Sequence, residues 1–146
     1  MFFRSLLMTS LAVIVLSACQ TTSSNSATLY EDLGGNAGLE AIVQRSFHYT
    51  LQDERIADKW ENSNVERVQK YLIEQLCDIS DGPCTYTGQS MARVHSGLGL
   101  TSFHFNALVE NFQKSMDDNN IPYRTQNRLL ARLAGMHGDI TNPLRP

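Results

Sequence analysis

Hydrophobic residues recur along this chain with the spacing of α-helices. Between residues 36 and 50, six positions share one face at 3.6 residues per turn: Leu39, Ile42, Val43, Ser46, Phe47 and Thr50. Asn36 is a suitable N-cap for this helix. Before it, Leu29–Leu33 forms at most a short turn that Gly34 and Gly35 interrupt. The pattern therefore predicts a helical domain that begins near residue 29.

A second helix is predicted after a tight, irregular connection over residues 53–60. Ser63 and Glu66 have the spacing of a capping box, and the helix that follows extends to about Ile79. Its apolar stripe consists of Val65, Val68, Leu72, Leu76 and Ile79. Asp81-Gly82-Pro83 ends it.

Two more amphipathic helices follow in the last third of the chain. Thr101 or Ser102 caps the first of them, whose apolar stripe consists of Phe105, Leu108, Val109, Phe112 and Met116. Pro122 suits the first turn of the last helix, in which Leu129, Leu130, Leu133 and either Met136 or His137 point inward. No segment has the alternation of a convincing strand, so the predicted fold class is all-α.

The first 19 residues have the pattern of an export signal rather than of a folded element. Arg4 precedes a short apolar run, Leu6–Leu16, which is too short for a comfortable membrane span. Leu16-Ser17-Ala18-Cys19 resembles the cleavage box of bacterial lipoproteins, in which the cysteine becomes the lipidated first residue. The alternatives are an uncleaved anchor and a plain secretory signal.

The residues after Cys19 complete this picture of an attached envelope protein. Gln20, in place of Asp, is typical of lipoproteins of the outer membrane, so we expect the chain to face the periplasm from that membrane. Residues 20–28 form a polar tether. The net charge of −3 and pI of 5.7 provide no basic surface for nucleic acid, so the membrane contact should come from the lipid on Cys19.

Cys77 and Cys84 are the two remaining thiols. In an oxidising compartment, two cysteines so close in sequence favour a disulfide. The alternative is a metal pair, but no Cys-x-x-Cys or adjacent His supports zinc. By helical phase Cys77 lies opposite the apolar stripe of its helix, so we expect it outside the core.

Within the segment Ser90–Leu100, His95 is the candidate functional residue. Met91, Val94, His95 and Leu98 have the spacing of one helical face, and the glycines at 97 and 99 end the helix. From the residues alone, His95 is either a hydrogen-bonded core histidine or a metal ligand.

Motifs across the folded part together resemble group I truncated haemoglobins: Gly34-Gly35 after Leu29-Tyr30, Gly82-Pro83, Tyr86-Thr87-Gly88, Met91, His95, Leu98-Gly99-Leu100 and Phe105. The resemblance implies a two-over-two globin fold around haem b, with residues 29–141 as the domain and 142–146 as a tail. His95 matches the proximal iron ligand. We expect the Met91 carbonyl to orient its other nitrogen, with Met91, Leu98 and Phe105 on the proximal wall.

The predicted distal side departs from the family pattern. Phe47 stands where relatives usually have a ligand-binding tyrosine, and Val68 and Leu72 are apolar where Gln is frequent at the second position. Gln75 lies close to Val68 by helical phase, so its amide either meets the bound ligand or reaches water at the edge of the stripe. Tyr71 beside it is a further pocket candidate.

The resemblance implies a protein that reversibly binds a diatomic gas such as oxygen or nitric oxide. An enzymatic alternative is nitric oxide dioxygenation or peroxidase-like detoxification, for which a separate electron donor would be needed because the chain contains no reductase domain. A third alternative is a structural lipoprotein that keeps the fold without the cofactor.

Overall fold

The computed structural model describes residues 27–143. The predicted signal peptide, most of the tether, Cys19 and the last residues of the tail lie outside the described residues. Residues 27–143 are helical and contain no strand, as predicted. Their helices are α1 (Leu29–Asp32), α2 (Gly35–Thr50), α3 (Val65–Ile79), α4 (Met91–His95), α5 (Ser102–Asp118), α6 (Tyr123–Ala134) and α7 (His137–Thr141), with a 3₁₀ turn at Ala57–Trp60.

The core forms where α2 packs against α5 and α3, while α1 packs against α6 and α4 against α7. The predicted face of α2 is confirmed, because all six of its positions are buried. The buried apolar cluster adds residues of the other helices: Leu29, Leu33, Leu76, Cys77, Phe112, Met116 and Leu129. None of the helices within residues 27–143 is long and apolar enough to cross a membrane.

The predicted helix caps are corrected by one or two residues. Helix α2 begins after Gly34, whose φ of 90° is a left-handed conformation that favours glycine. Asn36 therefore lies inside the helix, where its amide donates to Glu40 at 2.6 Å. At α3 the cap is Asn64, whose side chain accepts from the Arg67 backbone N–H at 2.8 Å, so the predicted box starting at Ser63 is wrong.

Cys77 and Cys84 form a disulfide. Because it closes only a small loop, it stabilises the fold by about 2 kcal/mol. The prediction that Cys77 lies outside the core is wrong, since it is fully buried. The reason is that α1 returns to this end of α3: the Tyr30 backbone N–H donates to the Ser80 carbonyl at 2.8 Å. Both faces of the last turn of α3 are thereby covered.

The predicted last helix is two helices. Helix α6 ends at Ala134, and the chain resumes as α7 after Gly135 and Met136. Leu129 is buried in the core, and Leu130 and Leu133 pack partly against it. The break allows α7 to turn onto α4, which brings the end of the domain to the helix that carries His95.

Candidate functional site

His95 is the last residue of α4, and its ring has one nitrogen engaged. Nδ1 lies 2.8 Å from the backbone oxygen of Met91. A carbonyl oxygen only accepts, so Nδ1 carries the proton and donates, and Nε2 keeps its lone pair. This confirms the predicted role of the Met91 carbonyl. The arrangement is that of a neutral imidazole oriented by its neighbour for metal ligation.

The turn after α4 opens space beside this imidazole. Gly97 and Gly99 have φ values of 79° and 62°, which an L side chain rarely adopts. His95 borders an open cavity of about 310 Å³, whose other lining residues are Gly97, Gly99, Leu100, Thr141, Asn142 and Pro143. The site therefore lies between α4, its following turn and the end of α7.

Apolar side chains near His95 are left uncovered by the protein. Val94, Leu98 and Phe103 are 40%, 53% and 58% exposed. Leu98 was predicted on the helical face of His95, but α4 ends at His95 and Leu98 lies in the turn after it. Large exposed apolar side chains close in sequence to an imidazole with a free lone pair are the kind of surface that an apolar macrocycle carrying a metal would cover.

Phe105 and Met91 were predicted on the proximal wall, and Phe105 has a protein partner. Its ring meets the His137 ring edge to face at 4.8 Å, and His137 Nε2 lies 3.0 Å from the Ser102 hydroxyl. Met91 is half-buried at the start of α4. These contacts link the beginning of α5 to α7.

The loop that leads into α4 is fastened to α3. The Tyr86 backbone N–H donates to Asp78 at 3.0 Å, and the Thr87 hydroxyl donates to Glu74 at 2.9 Å. Burial raises the pKa of the Tyr86 hydroxyl above its ordinary value, and the charge of Glu74 adds to the rise. Together with the disulfide, these contacts fix the approach to His95.

Tyr71 is part of the same region but is engaged by protein groups. Its ring packs edge to face with Tyr86 at 6.5 Å, and the Arg67 guanidinium lies 5.7 Å over its centroid. Tyr71 therefore connects α3 to the loop before α4.

The residues predicted for the distal side pack in or against the apolar core. Phe47 is buried in the core and has no hydroxyl, and Val68 and Leu72 on α3 pack partly against the same cluster. The hydroxyl of Ser46 beside Phe47 donates to the Val43 carbonyl at 2.9 Å. None of these four side chains offers a free hydrogen-bond donor.

Gln75 is buried, with 8% exposure. The alternative in which it reaches water at the edge of the stripe is therefore wrong. Its amide donates to the Met136 sulfur at 3.3 Å, which is a weak acceptor. Gln75 thus joins α3 to the segment between α6 and α7, and its second amide N–H remains available.

Trp60 is a residue of this region that the sequence analysis missed. Its ring meets the Phe47 ring edge to face, with centroids 4.9 Å apart. The indole Nε1 is buried and has no hydrogen-bond partner within the described residues. The spacing of residues along the chain cannot predict such a group, because the tertiary structure decides whether a hydrogen-bond donor is buried and unpaired.

The connection that carries Trp60 is anchored to α5. Asp53 accepts from Asn111 Nδ2 at 3.0 Å and from Arg55, which also pairs with Glu110 at 2.6 Å. The hydrogen-bonded guanidinium of Arg55 holds the pKa of the Asp53 carboxyl well below its ordinary value. The turn at Ala57–Trp60 therefore starts from a fixed position.

Comparisons with known proteins agree with this architecture. Residues 28–142 match the family model described as bacterial-like globin. A group 1 truncated hemoglobin of Tetrahymena thermophila is 33% identical over 91 residues, which are 62% of this chain and 75% of that protein. The crystal structure of ferric truncated hemoglobin from Tetrahymena pyriformis superposes with a TM-score of 0.76 at 26% identity, over 78% of this chain and 97% of that one.

Proposed function

This chain belongs to the bacterial-like globin family, whose members bind haem and, through it, diatomic gases, and we propose that it is an exported, lipid-anchored globin with His95 as the iron ligand. The hydrogen bond of 2.8 Å from His95 Nδ1 to the Met91 carbonyl carries this assignment. It leaves Nε2 as the atom able to bind a metal. Bound haem b would supply an iron with an open axial position for the gas.

The proposed activity is reversible binding of oxygen or nitric oxide rather than turnover. Bound oxygen carries partial negative charge, and hydrogen-bond donors near it slow its release and its oxidation of the iron. Phe47, Val68 and Leu72 offer no such donor, which disfavours efficient oxygen activation. Catalysis would also need an electron donor.

Absorption spectra of the chain expressed with haem test the cofactor and the ligand together. We expect the Soret band to shift on reduction and again on addition of carbon monoxide, because the iron keeps an accessible axial position. A protein that stays colourless when haem is supplied would leave the structural lipoprotein as the explanation. Rapid nitric oxide consumption coupled to a reductant would instead favour the enzyme.

Export and lipid attachment are tested at Cys19. We expect Cys19→Ala to move the protein from the membrane fraction to the soluble fraction of the cell envelope or to leave it unprocessed, since the lipid is its proposed anchor. Labelling with a radioactive fatty acid should disappear in the same variant. Equal labelling and membrane recovery of Cys19→Ala would contradict the anchor.

A further inference from the structure

The stretch of chain that carries His95 is attached to the rest of the domain by few protein contacts. None of residues 81–106 is buried, and α4 contributes no residue to the core. Within the described part of the chain, the backbone hydrogen bonds of residues 85–100 all stay inside that stretch. We call residues 85–100 the ligand segment. Because so little of it is packed, it should open at a lower free energy than the core does.

The disulfide is the covalent attachment at the start of the ligand segment. Cys84, the residue directly before it, is bonded to Cys77 on α3. The other contacts with α3 are the Tyr71–Tyr86 ring pair and the exposed hydrogen bonds of Tyr86 and Thr87 to carboxylates. Exposed hydrogen bonds exchange readily for bonds to water and add little net stability. The disulfide is therefore the strongest restraint between α3 and the ligand segment.

The turn before Cys84 is held in place without the disulfide. Asp81 pairs with Arg132 on α6 at 2.6 Å, and the Gly82 backbone N–H donates to the Cys77 carbonyl at 2.9 Å. Cys77 itself belongs to the buried apolar cluster, where a free thiol behaves as a small hydrophobic side chain. Reduction would thus leave the core packed and release the chain from Cys84 onward.

The two cysteines differ in their access to a reductant. Cys84 is half-buried, whereas Cys77 is fully buried, so a thiolate of a dithiol reductant attacks the Cys84 sulfur. The bond between the cysteines breaks, and Cys77 leaves as a thiolate and takes up a proton. The second thiol of the reductant loses its proton and attacks the mixed disulfide, and Cys84 leaves and is protonated. Two electrons pass to the protein, and the reductant departs as a disulfide.

From these observations we propose that the Cys77–Cys84 disulfide is a redox-sensitive control of haem retention, because its reduction loosens the ligand segment that presents His95. This inference rests on the proposed function. Haem bound through His95 and the disulfide restrain the same segment, so each stabilises the other. Linkage is reciprocal: reduction weakens haem binding by the same factor by which bound haem opposes reduction.

The haem dissociation constant of the full chain, purified in detergent, is the first readout. It is measured by competition with apomyoglobin, before and after reduction with dithiothreitol that is then removed. We expect it to rise about tenfold on reduction. The reduction potential of the disulfide should then be about 30 mV more negative in the haem-bound chain than in the haem-free chain, which is the same tenfold factor. Equal dissociation constants in the two redox states would overturn the proposal.

Cys84→Ala separates the disulfide from other effects of the reductant. It removes the bridge but leaves the Cys77 thiol in the core. Its haem dissociation constant should equal that of the reduced original chain and should not respond to dithiothreitol. Thr85→Ala, an exposed neighbouring position, is the matched control and should behave as the original chain does. If dithiothreitol weakens haem binding to Cys84→Ala as well, it acts elsewhere and the proposal fails.

Amide hydrogen exchange of the haem-free chain tests the loosening itself. On reduction we expect faster exchange in the ligand segment, while α2 and α5 keep their protection. Faster exchange throughout the domain would show that the disulfide supports the whole fold, and this would overturn the proposal. If the chain binds no haem, the proposed function and this inference both fail. If it binds haem through His95 equally well in both redox states, only this inference fails.

Discussion

His95→Ala is expected to abolish stoichiometric haem binding. Nε2 of His95 is the atom left free by the bond to Met91, and removing the ring removes the only protein–iron bond of the proposed site. Exposed apolar groups such as Leu98 would remain, and they retain a macrocycle only weakly and without orientation. Because loss of outer partners alone costs 10–100-fold in metal affinity, we expect a loss of at least about 100-fold. Haem titration followed at the Soret band measures it.

His48→Ala is the control for this experiment. His48 is exposed on α2, and its side chain contacts Gln52 and the Tyr49 ring. Its replacement should leave haem stoichiometry and spectrum unchanged. Free imidazole added to His95→Ala should restore part of the spectrum by occupying the vacated ligand position. Full haem retention with an unchanged iron spectrum in His95→Ala would contradict the assignment.

Gly38→Ala is expected to destabilise the fold more than any other single methyl addition to α2. A Cβ at Gly38 would lie 1.9 Å from the backbone oxygen of Leu33, and neither backbone can move by a rotamer change. Leu29 and Leu33 are fully buried, so α1 cannot swing away without exposing them. Overpacking of this kind costs about 3 kcal/mol or more, which should lower the melting temperature by roughly 10 °C.

Gly138→Ala is the same type of substitution, but we expect it to stabilise the fold. A Cβ at this position of α7 meets no atom within 4 Å. Alanine in place of a helical glycine stabilises by roughly 0.5–1 kcal/mol. Thermal unfolding followed by circular dichroism compares the two variants, and similar melting temperatures would show that the corner between α1 and α2 is not tightly packed.

The helices were predictable because periodicity reports which face of a helix is buried. The six buried positions of α2 follow from the helical spacing, and the end of α3 at Ile79 is where the sequence predicts it. The spacing of apolar residues identifies only one buried face of a helix, and for this reason Cys77 was wrongly predicted to lie outside the core. Its side of α3 is covered by the chain from α1, which is a contact between segments far apart in sequence.

The site was predictable where it depends on neighbours in the chain. The Met91 carbonyl lies one turn before His95, so local helix geometry dictates their hydrogen bond. Trp60 could not be found in this way. The burial of its indole depends on a connection of irregular shape whose position is set by Asp53 and its partners on α5.

Helix α4 has only five residues, and a helix of this length has no stability of its own. The disulfide and the contacts of Tyr86 and Thr87 with α3 hold the chain that enters it. These restraints come entirely from protein groups, so they exist before any cofactor arrives. Assembly of the holoprotein then becomes the docking of haem onto a preformed receptor, with little folding left to slow the encounter.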